Sequence, residues 1–314
     1  MIKFTANRSG ERLVVGREAW KGIAVSKLMY GCGAIAGELR EINNMDRIQN
    51  EMGRWLWASG MNVSNALIRG EIGWSTFKER EAKVKLDWVW RVIFEEGPVS
   101  RIGRASVAEL GTTSKWWRRV YEIAVMVGLE DLMNIIAVKR VNRDGLERLE
   151  LTTDTLRWRT EMKDRVEKWG LHKWREDMGN SAEMVEYKNW KKIPAKEGYA
   201  NSGAGAKVRM LLRGGYLPLR GNRKFQWRGA DEKCVCGAVE TEDHFLFHCH
   251  QYNTERQEWE RTWDNSGQDK KQVLKGYIGD ETMNANAIIF LEKIWKNRTR
   301  TEKERRDSPR ARMG

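Results

Sequence analysis

Four residues toward the C-terminal end, Cys234, Cys236, His244 and Cys249, carry the clearest chemistry in the sequence. Their spacing is C-x-C-x7-H-x4-C. Three thiolates and one imidazole form a normal tetrahedral donor set for zinc, and a shell of four protein ligands leaves no position for a reactive water. The expected cofactor is therefore one structural zinc ion that staples the fold and performs no catalysis. Gly237 permits a tight turn after the second thiol, and His244 and Cys249 fit the first turns of a short helix closing over the metal. His248, four residues after His244, is an alternative ligand in place of Cys249 or His244. The bland alternative is a chance cluster of four buried or free side chains, against which the spacing argues. Cys32 stands among glycines and apolar residues, as a small buried thiol does. His172 lies in a charged stretch and reads as solvent-facing.

Immediately before the first thiol, residues 198–230 hold Lys207, Arg209, Arg213, Arg220, Arg223, Lys224 and Arg228 and no acidic residue. Guanidinium groups pair bidentately with phosphate, and each phosphate neutralised makes binding more salt-dependent. Tyr216, Phe225 and Trp227 are interleaved with these charges, and Trp227 is the aromatic grouped with them for stacking on an unpaired base. A solvated cationic loop over buried aromatics is the alternative. The whole chain has 57 basic and 44 acidic residues, a formal charge of +13, which favours a polyanionic partner, RNA or DNA, over an acidic small molecule.

These groups must be positioned by a chain of 314 residues, 40% hydrophobic, with 16 tryptophans and only 4 prolines. That composition predicts a mainly α fold, a helical bundle followed by a small zinc-stapled C-terminal module. Residues 1–16 have short β-branched runs and suggest a hairpin or a connection. Helical spacing begins near Trp20, and Ile42, Met45, Ile48, Met52, Trp55 and Leu56 form one stripe ending at Gly60. Thr76 to Glu79 has the form of a capping box. Two helices separated near Gly128 are expected between Thr113 and Ala137, and one long helix between Thr155 and Met178, with Gly170 as a point of bending. Residues 179–200 are the candidate linker. The expected segments are 1–97, 98–193, 194–292 and a basic disordered tail, 293–314, with nine basic and three acidic residues between Lys293 and Arg312. Three cysteines within one short stretch suit metal binding in a reducing compartment. No apolar run reaches the ~20 residues a bilayer requires, so the expectation is an intracellular chain, nuclear or cytoplasmic, without a membrane partner.

The stretch from Arg209-Met-Leu-Leu-Arg213 through Cys-Val-Cys-Gly, Glu240-Thr241, His244-Phe-Leu-Phe-His-Cys249 and Tyr252 resembles the C-terminal zinc-binding region of non-LTR (LINE-like) retrotransposon reverse transcriptases. Lys27-Leu-Met-Tyr-Gly31, the helix around Ile48 to Leu56, and Gly70-Glu71-Ile72-Gly73-Trp74 are similar to the thumb of the same enzymes. The resemblance implies a thumb-like segment that grips a primer-template and a zinc region that binds RNA or DNA. It implies no catalytic residue, because the polymerase needs paired aspartates for its two metals and the chain has no Asp-Asp dipeptide. Action as a thumb subunit beside a separate polymerase chain is a further expectation, and a zinc-stapled protein interaction scaffold is the alternative from another class.

Overall fold

The computed structural model describes residues 2–307 apart from 9, 36, 96, 111–112, 132, 134–150, 202, 223–230, 264–266 and 278–279. Among these residues the fold is all helix, with a lone antiparallel bridge between Lys233 and Val239 in place of any strand. No described helix is long and apolar enough to cross a membrane. The residues divide into two units. The first is assembled from 1–17, 53–73 and 177–314, and the second from 18–52 and 74–176.

Local chemistry sets many of the helix ends. Where the β-branched runs of residues 1–16 suggested a hairpin, the chain forms α1 at Ile2–Arg8 and α2 at Arg12–Ala19. Burial of Ala6 and Leu13 accounts for the difference, because tertiary packing outweighs weak local preference. After a π-helical turn at Trp20–Val25, α3 (Leu39–Trp57) carries the expected apolar stripe. Ser64 caps α4 (Asn65–Ile72) through the amide of Ala66. Thr76 caps α5 (Phe77–Phe94), its hydroxyl accepting from the Glu79 amide at 3.1 Å. Pro98, whose missing N–H is no loss at a first helical position, starts α6 (Pro98–Leu110). Ser114 caps α7 (Lys115–Val127), which ends at Gly128 with φ +73°. The second helix expected beyond Gly128 falls mostly on residues 134–137, outside the described residues.

In the second unit α8 (Leu151–Gly179), of which residues up to Glu176 belong here, runs unbroken through Gly170. The Glu79 carboxyl lies over this glycine, 2.6 Å from where a Cβ would stand. The core joins Leu86 and Val89 of α5, Trp117, Val120 and Ile123 of α7, and Trp158, Met162 and Val166 of α8. The buried Glu81 receives two bonds from Arg119, at 3.1 and 2.7 Å.

In the first unit α9 (Tyr187–Trp190) and its flanks occupy the stretch read as a linker. That stretch is instead built into the core by Met184, Tyr187 and Tyr199. Helix α10 (Ala204–Arg213) packs against the C-terminal helix α13 (Glu281–Asp307), with α11 (Asn253–Arg261) and α12 (Lys270–Gly276) alongside. Gly205 sets the approach of α10 to α13, for a Cβ there would lie 2.2 Å from the Ile288 carbonyl oxygen. Residues 293–307, expected as a disordered arm, are the second half of α13, with Ile294 buried and Arg298 drawn into an ion pair.

Candidate metal centre

Cys234 and Cys236 sit on a turn closed by two hydrogen bonds, from the Cys234 amide to the Ala238 carbonyl (2.8 Å) and from the Gly237 amide to the Cys234 carbonyl (2.9 Å). Gly237 adopts φ +92°, which a side chain would strain. His244 opens a π-helical turn, His244–His248, whose entry is held by the Thr241 hydroxyl accepting from the His244 amide. The turn ends with the Cys249 amide donating to the His244 carbonyl at 2.8 Å. A π-turn of this kind is short and often marks a functional site.

These elements bring the four candidate ligand atoms within 4.8 Å of one another. Cys234 Sγ lies 3.7 Å from Cys249 Sγ, and Cys236 Sγ lies 3.2 Å from His244 Nε2. A tetrahedral zinc ion with bonds of about 2.3 Å to sulfur and 2.0 Å to nitrogen would set these edges at about 3.8 and 3.5 Å. The donor set and its dimensions thus fit one metal ion. Burial pushes the Cys249 thiol up to about 12 and raises that of Cys234 as well, so these sulfurs carry charge only against a nearby cation. The backbone at Cys236 and Gln251 acts the other way, easing ionisation of Cys234 and Cys249 respectively. His248, the alternative ligand, is two-thirds exposed and lies 3.4 Å from Asp243, outside the four-atom group.

The knuckle is fastened at three further points. Arg256, buried on α11, donates to the carbonyls of Leu246 and Cys249 at 3.0 Å each, and so fixes both ends of the π-turn. Glu240, 1% exposed, takes two bonds of 2.7 Å from Arg298 and a third of 2.7 Å from the Arg220 amide. Asp231 and the Lys233 carbonyl take the guanidinium of Arg305 at 2.5 and 3.0 Å. Phe245 stands edge-on to Tyr252 and Trp295, with ring centroids 5.3 and 6.1 Å apart. Of these supporting residues, Arg220 was expected as a phosphate contact and Glu240 belongs to the quoted motif, while Arg256, Arg298 and Arg305 carry no expectation from the sequence. A signal existed, because Arg298, Glu302 and Arg305 recur at steps of four and three, which places them on one helix face.

The basic segment has a different fate from the one its composition suggested. Arg209 is fully buried, donating to the Val273 carbonyl and the Asn284 side chain, with its guanidinium about 5 Å from the Tyr199 and Tyr277 ring centres. Burial lowers it to about 10. Arg213 is 1% exposed and pairs with Glu71 at 3.1 Å and Glu197 at 3.3 Å. Glu71, itself buried, also accepts from the hydroxyls of Tyr187 and Tyr199. These two arginines are therefore core groups that no phosphate can reach, a correction to their expected role. Arg220 is committed to Glu302 through bonds of 2.9 and 2.6 Å. Lys207 remains half-buried on α10. Arg223, Lys224, Trp227 and Arg228 lie outside the described residues.

The four-atom group around the cysteines can hold a metal ion. No protein-family model, curated protein or solved structure matches the chain.

Proposed function

We propose that this chain is a zinc-stapled nucleic-acid-binding protein without polymerase activity of its own. The reading rests on where the charge lies. Of the 57 basic and 44 acidic residues, 32 and 22 fall in the unit that holds the cysteine cluster, leaving 25 and 22 in the other. Most of the excess positive charge, 10 of 13, thus falls in the unit that carries the knuckle, and such a field draws polyanions at long range. Zinc is the proposed ion because three thiolates and an imidazole in a closed tetrahedron suit it. Descent from the C-terminal part of a non-LTR retrotransposon reverse transcriptase accounts for the motif order quoted above, and we carry it as part of the same proposal. Its variant is a thumb subunit that serves a separate catalytic chain.

Exposed aliphatic side chains favour a second reading, a protein interaction scaffold. Val99 and Ile102, one helical turn apart on α6, are 61% and 68% exposed. Fluorescence anisotropy of the zinc-loaded chain with single-stranded RNA, single-stranded DNA and an RNA–DNA primer-template, each across a salt series, separates the readings. Binding that falls steeply with salt supports the first, and a preference for the primer-template supports the thumb variant. Weak binding to all three at low salt leaves the scaffold.

A further inference from the structure

Many cations of the first unit are consumed internally. Arg69, Arg213, Arg220, Lys275, Arg298 and Arg305 each meet a carboxylate. Lys3, Arg12 and Lys207 do not: among the described residues no carboxylate lies within ion-pair distance of any of them. Lys3 and Arg12 flank the same ring, with Nζ 5.6 Å and Cζ 5.5 Å from the Trp55 centroid. Arg12 is held in place by a 3.1 Å bond from its Nε to the Leu56 carbonyl. Lys207 is half-buried, and the like charge of Arg12 adds to burial in lowering its ammonium pKa.

The bed beneath these groups is rigid. A Cβ on Gly16 would lie 2.4 Å from Leu56 Cδ2, 3.3 Å from Ala6 Cβ and 3.6 Å from the Trp55 ring, so α1, α2 and the end of α3 meet without slack. A fold that sets two cations against a half-buried indole, with a third close enough for Arg12 to act on it, and offers them no anion pays in mutual repulsion, and an external anion relieves it. We infer that Lys3, Arg12, Trp55 and Lys207 form a binding site for the phosphodiester backbone of a nucleic-acid strand. A polymer suits the site better than a single ion, because the charges stand on three separately anchored helices within the unit that carries the protein's positive excess. This site rests on the nucleic-acid reading above and moves the contact away from Arg209 and Arg213.

The test uses the full zinc-loaded chain and a labelled single-stranded DNA 20-mer, read by anisotropy from 0.05 to 0.3 M salt. Lys3→Gln/Lys207→Gln removes two charges and spares Arg12, whose bond to Leu56 supports the fold. Lys163→Gln/Lys168→Gln in the second unit removes the same net charge and serves as control. At about 0.7 per phosphate contact on a single strand, the first double should lower the salt slope by about 1.4 and weaken binding about 25-fold at 0.1 M salt. The control should leave the slope unchanged. Equal behaviour of the two doubles, with the parent binding well, overturns the site and leaves the proposed function standing. A parent that ignores the strand at low salt refutes the proposed function and the site with it. Inorganic tripolyphosphate at matched phosphate concentration should compete poorly with the strand, and equal competition overturns a strand as the occupant.

Discussion

Arg298→Met is the sharpest perturbation of the knuckle's support. It keeps an unbranched apolar stem on α13 and deletes two 2.7 Å bonds to Glu240. Glu240 would then be a carboxylate at 1% exposure, retaining only the Arg220 amide as a donor. Removing one partner of a buried pair costs about 3–5 kcal/mol, because the other charge stays buried. Glu240 lies on the loop between the two halves of the cysteine cluster, so that cost should fall on local opening of residues 231–249. At 1.36 kcal/mol per decade, amide exchange in this segment should speed up by roughly two to nearly four orders of magnitude, with α5 and α7 of the second unit unaffected. Adding Glu240→Gln should restore part of the protection, since a neutral amide still accepts from Arg220 without a buried charge. Hydrogen exchange by mass spectrometry on parent, single and double variants reads all three. Less than a tenfold change in the single variant would refute the view that this pair fastens the knuckle.

Metal analysis of the purified chain should find one zinc per molecule, and Cys236→Ser should lose it while the second unit keeps its helical circular-dichroism signal. Gly205→Ala forces a methyl onto the Ile288 carbonyl, so thermal unfolding should show a loss of at least the ~1–3 kcal/mol typical of overpacking. A variant as stable as the parent would mean that α10 and α13 do not pack this closely. Burial opposes ionisation of Glu302, yet the bonds from Arg220 and the charges of Arg220, Arg298 and Arg305 outweigh it and hold the carboxyl below its usual range. The pair's contribution is therefore full above the unfolded glutamate value of about 4.3 and disappears as pH falls through the depressed folded value. Denaturation curves between pH 6 and 3 should show Glu302→Gln less acid-sensitive than the parent, and identical acid profiles would count against the pairing.

The parts of this fold legible in the sequence are those decided by near neighbours. Thr76 three residues before Glu79, Ser114 before an apolar run, Gly128 after one, and the stripe from Ile42 to Leu56 each specify a helix or its end locally. The cysteine and histidine spacing belongs to the same class, since a compact turn closes most of the cluster. What could not be read depends on distant partners. The segment 198–230 looked like an open cationic surface because it has no acid of its own, whereas the acid for Arg213 is Glu71, 142 positions away. The apolar residues Val208, Met210, Leu211 and Leu212 around the same arginines were a visible hint that α10 is enclosed on all sides, as their burial shows. The tail misled in the opposite way, because charge density suggested disorder while the periodic placing of Arg298, Glu302 and Arg305 served a helix face. At Gly170 the sequence suggested a bend, but the residue answers to Glu79, which lies on another helix.

The first unit's three-segment construction also sets a timetable for the chain as it leaves the ribosome. Glu71 is made well before Arg213, and at roughly 5–20 residues per second it waits on the order of ten seconds for its counter-charge, while all of 74–176 emerges. During that interval Leu67 and Glu71 of α4 have no α10 end to pack against. The second unit, complete by Glu176, can fold in that time, so synthesis order favours it as the earlier-maturing half. The last residues of α13 then arrive to fasten Asp231 and the knuckle.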